Sequence, residues 1–316
     1  MNADNFAEWL RKQGHLVVRT ESSYWYDAGP RVMQAFPYYW VIEPSEEEIN
    51  TLLRRHNLLA ARYSTPLHSP MGTVSYHIVY EEPEYTLETL DRRSRQNVRK
   101  GLRNCNVEAI TFERLAEEGW ELEKDTLDRQ EREGQFDQES WYKRCMAAKE
   151  IPGFEAWGAL VGDTLAATLL SFQDDDWCVL IFQQCRREFL NNRVNNALTY
   201  EVTRIMTERE NINSVFYALH SLDAPPEIDE YKLRMNYIAK PVRQRVVFHP
   251  LIRPLMNPVS YRVVNWLQSK RPASHQLAKA EGMIRFYLQG KQPLGKQDWP
   301  VHLESNKSQI LHEMVV

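Results

Sequence analysis

Apolar positions along this chain change period several times, and each change marks an element. Residues 6–14, FAEWLRKQG, follow a helical spacing and end in glycine, which predicts a short helix. HLVVRTESSYWYDAGPRVMQAFPYYWVIEP holds two aromatic, β-branched runs around a turn at residues 27–30, which predicts strands. PSEEEINTLLRRHN follows the rules for a helix start, with Ser45 as cap, acids in the first turn and an apolar stripe behind them. LLAARYST and VSYHIVYEE predict two more strands, so residues 1–85 alternate strand and helix.

The stretch YTLETLDRRSRQNVRKGLRNC predicts a basic helix, NVEAITF a strand, and ERLAEEGWELEKDTLDRQERE and DQESWYKRCMAAKE two helices. The period then shortens. FEAWGALVGDTLAATLLSFQ predicts two strands around a tight turn at residues 161–163, and WCVLIFQQC a third. An amide-rich segment, RREFLNNRVNNAL, opens a helix that runs to about residue 210. SVFYALHS predicts a strand, PPEIDEYKLRMNY a short helix and KPVRQRVVFHP a last strand. From residue 251 the chain predicts a helical tail. LIRPLMNPVSYRVVNWLQSK and SHQLAKAEGMIRFYLQG are amphipathic and basic, and the polar end is expected to fray.

Composition narrows the class. The 316 residues suffice for one large domain or two ordinary ones, and 43% apolar with 26% charged residues is a soluble, globular balance. A net charge of -4 gives no global pull toward nucleic acid or anionic membrane, so any such affinity must come from a local patch. Cys105, Cys145, Cys178 and Cys185 have no zinc-ligand spacing, and four thiols in a chain this size suggest a reduced setting. The start lacks the apolar core of a secretory signal, and no stretch approaches the roughly 18 apolar residues of a spanning helix. The expected location is the cytoplasm. The tail, with its basic and apolar faces, suits peripheral membrane contact, packing on the domain, or a second subunit in a homodimer.

Chemistry concentrates in a few places. Asn191, Asn192, Arg193, Asn195 and Asn196 stand at a helix start, just after Arg186 and Arg187. Asparagine is a poor interior residue but a good cap, and a polar helix start is also where an anion binds. The basic helix carries Arg92, Arg93, Arg95, Arg99, Lys100 and Arg103 against one acid, Asp91. Such a run is ordinarily a solvated face. Its functional reading is a phosphate-rich partner: a CoA 3′-phosphate, a tRNA acceptor stem or a lipid head group. His220, with Asp223 three residues on, is a candidate base of near-neutral pKa, against the reading of a hydrogen-bonded loop histidine. Tyr217 and Tyr231 are candidate acids for a departing group, Glu155 is a second candidate base, and Lys232 a candidate anion ligand; each has a packing or surface alternative. Trp157 and Trp177 read as packing. Asp174, Asp175 and Asp176 read as an exposed hairpin loop, with no calcium-loop spacing around them.

The order strand, helix, helix, strand, strand, strand, helix, strand, helix, strand over residues 107–249 resembles the GNAT acyltransferase fold. WGALVGDTLAATLLSF is similar to its hairpin. WCVLIFQQC is similar to the strand that splays from its neighbour and holds the acyl-CoA pantetheine in the gap, and RREFLNNRVNNAL to the phosphate turn and helix. The usual turn is Q/R-x-x-G-x-G/A; Arg186 or Arg187 takes its first place and both glycines are absent. Asn191, Asn192 and Asn195 stand nearby, and asparagine tolerates left-handed backbone angles. By this resemblance Gln183, Arg186, Arg187, Asn191, Asn192, Arg193, Asn195, Asn196 and Lys232 would bind the donor, and His220, Glu155, Tyr217 and Tyr231 would supply acid–base chemistry.

Two segments are similar to a subset of that superfamily, the Fem-type aminoacyl transferases and their bacterial GNAT relatives. RRSRQNVRKGLRN resembles the helix that opens their acyltransferase half. IDEYKLRMNYIAKPVRQRVVF resembles their late signature, with Tyr231, Lys232, Met235, Asn236 and Tyr237 in place and Asn236 where glycine is common. The resemblance covers about residues 88–250. Residues 1–87 then stand as a second, degenerate half, and residues 251–316 as a helical tail. The implied fold is α/β, with a GNAT-like mixed, mostly antiparallel sheet flanked by helices. The implied reaction is transfer of an acyl group from acyl-CoA to a small-molecule or peptide amine by direct attack, with no metal. An aminoacyl-tRNA donor and a non-catalytic GNAT-like binding module are the alternatives, the second favoured by the missing glycines.

Overall fold

The computed structural model describes residues 3–129, 137–221, 227–272 and 274–313. The chain opens with helix α1 (Ala3–Gln13), strands β1 (Val17–Arg19), β2 (Tyr24–Gly29) and β3 (Val32–Phe36), helix α2 (Glu46–Arg55), and strands β4 (Ala60–Thr65) and β5 (Thr73–Tyr80). Helix α3 (Arg92–Asn104), strand β6 (Asn106–Ile110) and helices α4 (Phe112–Arg129) and α5 (Gln138–Met146) follow. Next come β7 (Phe154–Val161), β8 (Thr164–Asp174), β9 (Trp177–Cys185), α6 (Val194–Thr207), β10 (Ser214–Leu219), α7 (Glu227–Arg234) and β11 (Ile238–Phe248). The tail holds α8 (Pro258–Lys270), α9 (His275–Gln289), α10 (Val301–Glu304) and α11 (Lys307–Glu313).

Local sequence explains many of these boundaries. Ser45 caps α2 by accepting the Glu48 N–H at 3.1 Å, and three glutamates fill the first turn. Asp91 caps α3 through the N–H groups of Arg93 and Ser94. Gly162 turns the β7–β8 hairpin with a positive φ of 60°.

The described residues form two compact units, each drawn from separate parts of the chain. The first contains α1, residues 78–218 and residues 230–238; the second contains residues 15–77, 219–229 and everything from 239 on. The units interleave along the chain because contacts between distant segments, and not sequence proximity, hold each together. Phe6 and Trp9 of α1 lie against Phe154 of β7, with ring centres 6.2 and 5.2 Å apart, which places α1 in the first unit. Strand β11 pairs antiparallel with β4 across the second unit, with Phe248 opposite Ala60 and Arg243 opposite Thr65.

In the first unit β6, β7, β8 and β9 pair antiparallel in succession, and β10 then adds parallel to β9. A parallel neighbour needs a crossover, and α6 supplies it. In the second unit β1, β2 and β3 form the same antiparallel meander, α2 is the crossover, and β4 adds parallel to β3. Both units thus contain three successive antiparallel strands, a crossover helix and a parallel strand, with β6 an additional antiparallel strand in the first. Each is an α/β layer with a mostly antiparallel sheet flanked by helices.

The tail belongs to the second unit and is better anchored than its polar sequence implies. Met283, Ile284, Phe286 and Tyr287 of α9 pack on Ala60, Val246 and Phe248. Leu303 and Ile310 are the buried residues of the last two short helices. Asp174 also departs from expectation. It is 1% exposed at the end of β8, and Asp175 takes the left-handed turn at φ 53°.

Helices α3 and α6 cross at a glycine. A Cβ on Gly101 would stand 2.5 Å from the Arg193 carbonyl and 2.9 Å from the Ala197 side chain. Gly101→Val is therefore expected to destabilise the protein by about 1–3 kcal/mol through overpacking. Urea titration checks this, and an unchanged midpoint would mean the helices have slack at that crossing.

Candidate functional site

The site is built where β9 runs out. β9 and β10 pair over three residues, Trp177–Val179 with Ser214–Phe216. The register on the other side of β9 slips by one residue, with Leu180 opposite Ser171 and Phe182 opposite Leu170, so Ile181 is an inserted bulge. Beyond that point side chains take over from the ladder. Gln183 Oε1 accepts from the Tyr217 hydroxyl at 2.6 Å and from Thr199 Oγ1 at 3.0 Å. Its Nε2 donates to the carbonyl and the side-chain oxygen of Asn195, at 3.3 and 3.2 Å. The Tyr231 hydroxyl donates to the same carbonyl at 2.9 Å and lies 2.9 Å from Thr199 Oγ1. One turn further along α6, Thr203 meets the Tyr237 hydroxyl at 2.6 Å.

Gln183, Asn195, Tyr217 and Tyr231, all singled out in the sequence, therefore meet in one polar cluster. Thr199, at its centre, was not. Its signal was available: it stands four residues after Asn195, hence on the same face of α6. Lys232 adds a cation 5.3 Å from the centre of the Tyr217 ring. Burial pushes the Tyr217 phenol up to about 12 and Tyr231 well above the ordinary tyrosine value, so both hold their protons at neutral pH.

The amide-rich turn has an unexpected geometry. Arg187–Asn192 forms a 3-10 turn, and α6 begins after it. The left-handed residue at the junction is Arg193, at φ 61° and ψ 30°, and not one of the asparagines. No side chain at that position caps the helix. The Asn192 carbonyl accepts from Asn104 Nδ2 of α3 at 3.3 Å, and the Asn196 amide reaches Met235 Sδ at 3.5 Å. Asn191 is exposed. Late in the same unit, Asn236 does take the left-handed angle that its glycine-like place demands, at φ 65°.

Helix α3 lies on this turn through Gly101 and Asn104. Its Arg95 folds back onto the carbonyls of Glu88 and Leu90, at 3.1 and 3.0 Å. Arg92, Arg93, Arg99, Lys100 and Arg103 are exposed, and among the described residues none of the five has an ion pair or side-chain hydrogen bond.

Other candidates stand apart from the cluster. Arg187 pairs with Asp125 and Arg186 with Glu188, lining a surface pocket of about 310 Å³ with Glu121, where three carboxylates oppose any added anion. Both Glu155 oxygens are held by Arg209, at 2.7 and 2.9 Å, so that carboxylate is an ion-pair partner. His220 falls in the second unit. Its N–H donates to the Tyr76 carbonyl at 3.0 Å, its Nδ1 lies 3.2 Å from Ser75 Oγ, and its ring stacks on Tyr76 at 4.5 Å. Burial pushes the imidazole down to about 4, which makes it a weaker base than the near-neutral value expected from sequence. Asp223 lies outside the described residues.

With this geometry in place, comparison with solved structures is informative about fold. FemX superposes with a TM-score of 0.55 over 79% of this chain and 93% of its own, at 11% identity. The C-terminal DUF2156 domain of a lysylphosphatidylglycerol synthetase candidate from Agrobacterium fabrum gives 0.52 over 78% and 90%, at 10% identity. A conserved protein of unknown function from Bacteroides thetaiotaomicron VPI-5482 gives 0.51 over 78% and 89%, at 11% identity. No family model matches the chain, and no curated protein matches it in sequence. The chain shares the fold of FemX and of that DUF2156 domain.

A buried and a partly buried histidine give the fold a pH signature. Burial holds His77 at about 3 and His220 at about 4, both below the free value of 6.5. The unfolded chain then takes up protons first, so this contribution to stability is complete above about pH 6.5 and is lost as the pH falls toward 4. Urea midpoints measured between pH 7 and 4.5 are expected to drop less for His220→Gln than for the parent chain. Parallel curves would show that His220 binds its proton equally well in the folded and unfolded chain.

Proposed function

We propose that this chain transfers an acyl or aminoacyl group to a primary amine, and that the group arrives esterified to tRNA. The observation that carries the reading is the exposed cationic face of α3, seated through Gly101 on the uncapped start of α6. Arg92, Arg99 and Arg103 follow one another at helical spacing, with Arg93 and Lys100 beside them. A row of exposed guanidinium and ammonium groups suits a polyphosphate backbone, and the helix start adds N–H donors of the same sign.

In the chemical step the amine attacks the ester carbonyl. The bond to the ribose oxygen breaks, that oxygen takes a proton, and the ammonium formed by the attack gives its proton to solvent. Tyr217 and Tyr231, held protonated, are the donors we assign to the departing oxygen. Aminolysis of an ester requires no metal for this balance. The acceptor, a small molecule or a peptide, is left to experiment.

A second reading keeps acyl-CoA as donor. The left-handed Arg193 and the open start of α6 favour it, because a pyrophosphate would meet backbone N–H groups there. The Gln183–Tyr217 bond works against it, since it bridges the space in which a pantetheine would lie.

Bulk tRNA is expected to bind with an affinity that falls steeply between low and moderate salt, and Arg99→Glu with Arg103→Glu should weaken it about tenfold or more. Tyr217→Phe should leave binding intact and lower transfer by about 10²-fold. Binding that ignores the charge reversal would sink the tRNA reading. A melting temperature raised by acyl-CoA and not by tRNA would move the assignment to the second reading. A chain that binds a donor without turning it over is a binding module.

A further inference from the structure

Helix α8 is apolar on two opposite sides, and only one of them is used by the fold. Tyr261 and Val264, with Ile252 and Met256 just ahead of the helix, pack on the cluster that holds Phe248, Met283 and Tyr287. On the opposite side Val259, Val263 and Trp266 recur at helical spacing, and they are 68%, 51% and 59% exposed. Leu251 and Leu255, in the turn that leads into the helix, are 81% and 61% exposed. A helix that is hydrophobic all round is normally enclosed. Here no residue of α8 is buried.

The charge around this stripe is one-sided. Residues 251–272 contain Arg253, Arg262, Lys270 and Arg271 and no aspartate or glutamate, in a chain whose net charge is -4. Arg253 is engaged with Asn50 and the Phe248 carbonyl. Arg262, Lys270 and Arg271 are exposed. Lys270 continues the row of Val259, Val263 and Trp266, and Arg262 stands one position before Val263. Long cationic side chains of this kind lay their methylenes along apolar surface and carry the charge to a polar boundary. The helix is also formed without any outside partner: Asn257 and Ser260 make a capping box, and Pro258 takes the first turn. Docking would therefore cost little ordering.

We propose that α8 and the turn before it seat this chain on an anionic lipid surface. Leu251, Leu255, Val259, Val263 and Trp266 enter the acyl boundary, and Arg262, Lys270 and Arg271 meet the lipid phosphates. Among the described residues no helix is long and apolar enough to cross a membrane, so the contact lies in the interface plane. Charge selects the occupant. A two-fold contact with a second copy would set the same cations against themselves, whereas an anionic surface complements them. The inference does not depend on which donor the transferase site takes.

Co-sedimentation of the full chain with vesicles tests this. Binding is expected to vesicles of equal phosphatidylcholine and phosphatidylglycerol, and little to phosphatidylcholine alone. Arg262→Glu with Lys270→Glu should weaken binding by about tenfold or more, since each basic residue near such a surface adds roughly 1 kcal/mol. Val263→Glu with Trp266→Glu should abolish it. All four positions are exposed, so the melting temperature should hold. A parent chain that stays in the supernatant with anionic vesicles overturns the proposal, as does binding that survives both double variants. A dimer in light scattering that Val263→Glu disperses, without vesicle binding, would assign the face to a second copy and also overturn it.

Discussion

Strand β9 is held along its length on one side and over three residues on the other, and the organisation of the first unit follows from that asymmetry. A parallel partner can be reached only by a crossover, so α6 must begin where β9 stops. The parallel pairing with β10 then ends after Val179 and Phe216. Where a ladder stops, polar groups need other partners. In this region the Gln183 amide bonds the Tyr217 and Thr199 hydroxyls at one end and Asn195 at the other. Strand divergence, helix start and polar cluster are three aspects of one constraint. The second unit repeats the constraint, with β3 and β4 paired at Val32–Gln34 and Ala60–Arg62 before they end.

Charge is distributed so that a mildly acidic chain carries two basic surfaces of different character. On α3 the exposed residues are mostly cations, on a helix whose buried side is Ser94, Val98 and Gly101. That pattern matches a partner recognised by phosphate charge, in water. On α8 the cations border exposed leucine, valine and tryptophan. That pattern matches a partner with a charged boundary and an apolar interior. Net charge averages the two away, and only position along the helices separates them.

Much of the element structure was legible because its causes are local. The Ser45 cap, the Gly162 hairpin and the left-handed Asn236 each depend on residues within one turn of themselves. The Fem-like signature around Tyr231 and Asn236 was legible for the same reason. The amide-rich turn was only half legible. The run of asparagines marked a helix start correctly, but the left-handed angle went to Arg193, because the close approach of Gly101 and the Asn104 contact fix the backbone there. Sequence spacing could not give Glu155 its partner, since Arg209 lies 54 positions away. Nor could it show that the pKa of His220 is pushed down, because the causes are burial and charges at Asp229, Arg62, Arg285 and His302, all distant in sequence.

By itself, then, the sequence determined most of the elements between residues 3 and 289, several capped helix starts and tight turns, and the two concentrations of positive charge. These follow from periodicity, backbone preference and composition, which act over one or two turns. Tertiary structure alone decided which residues share a unit, which asparagine touches Gln183, that Thr199 stands at the centre of the cluster, and which face of α8 is left uncovered. Those facts depend on contacts between segments far apart in the chain, and on the desolvation that such contacts impose.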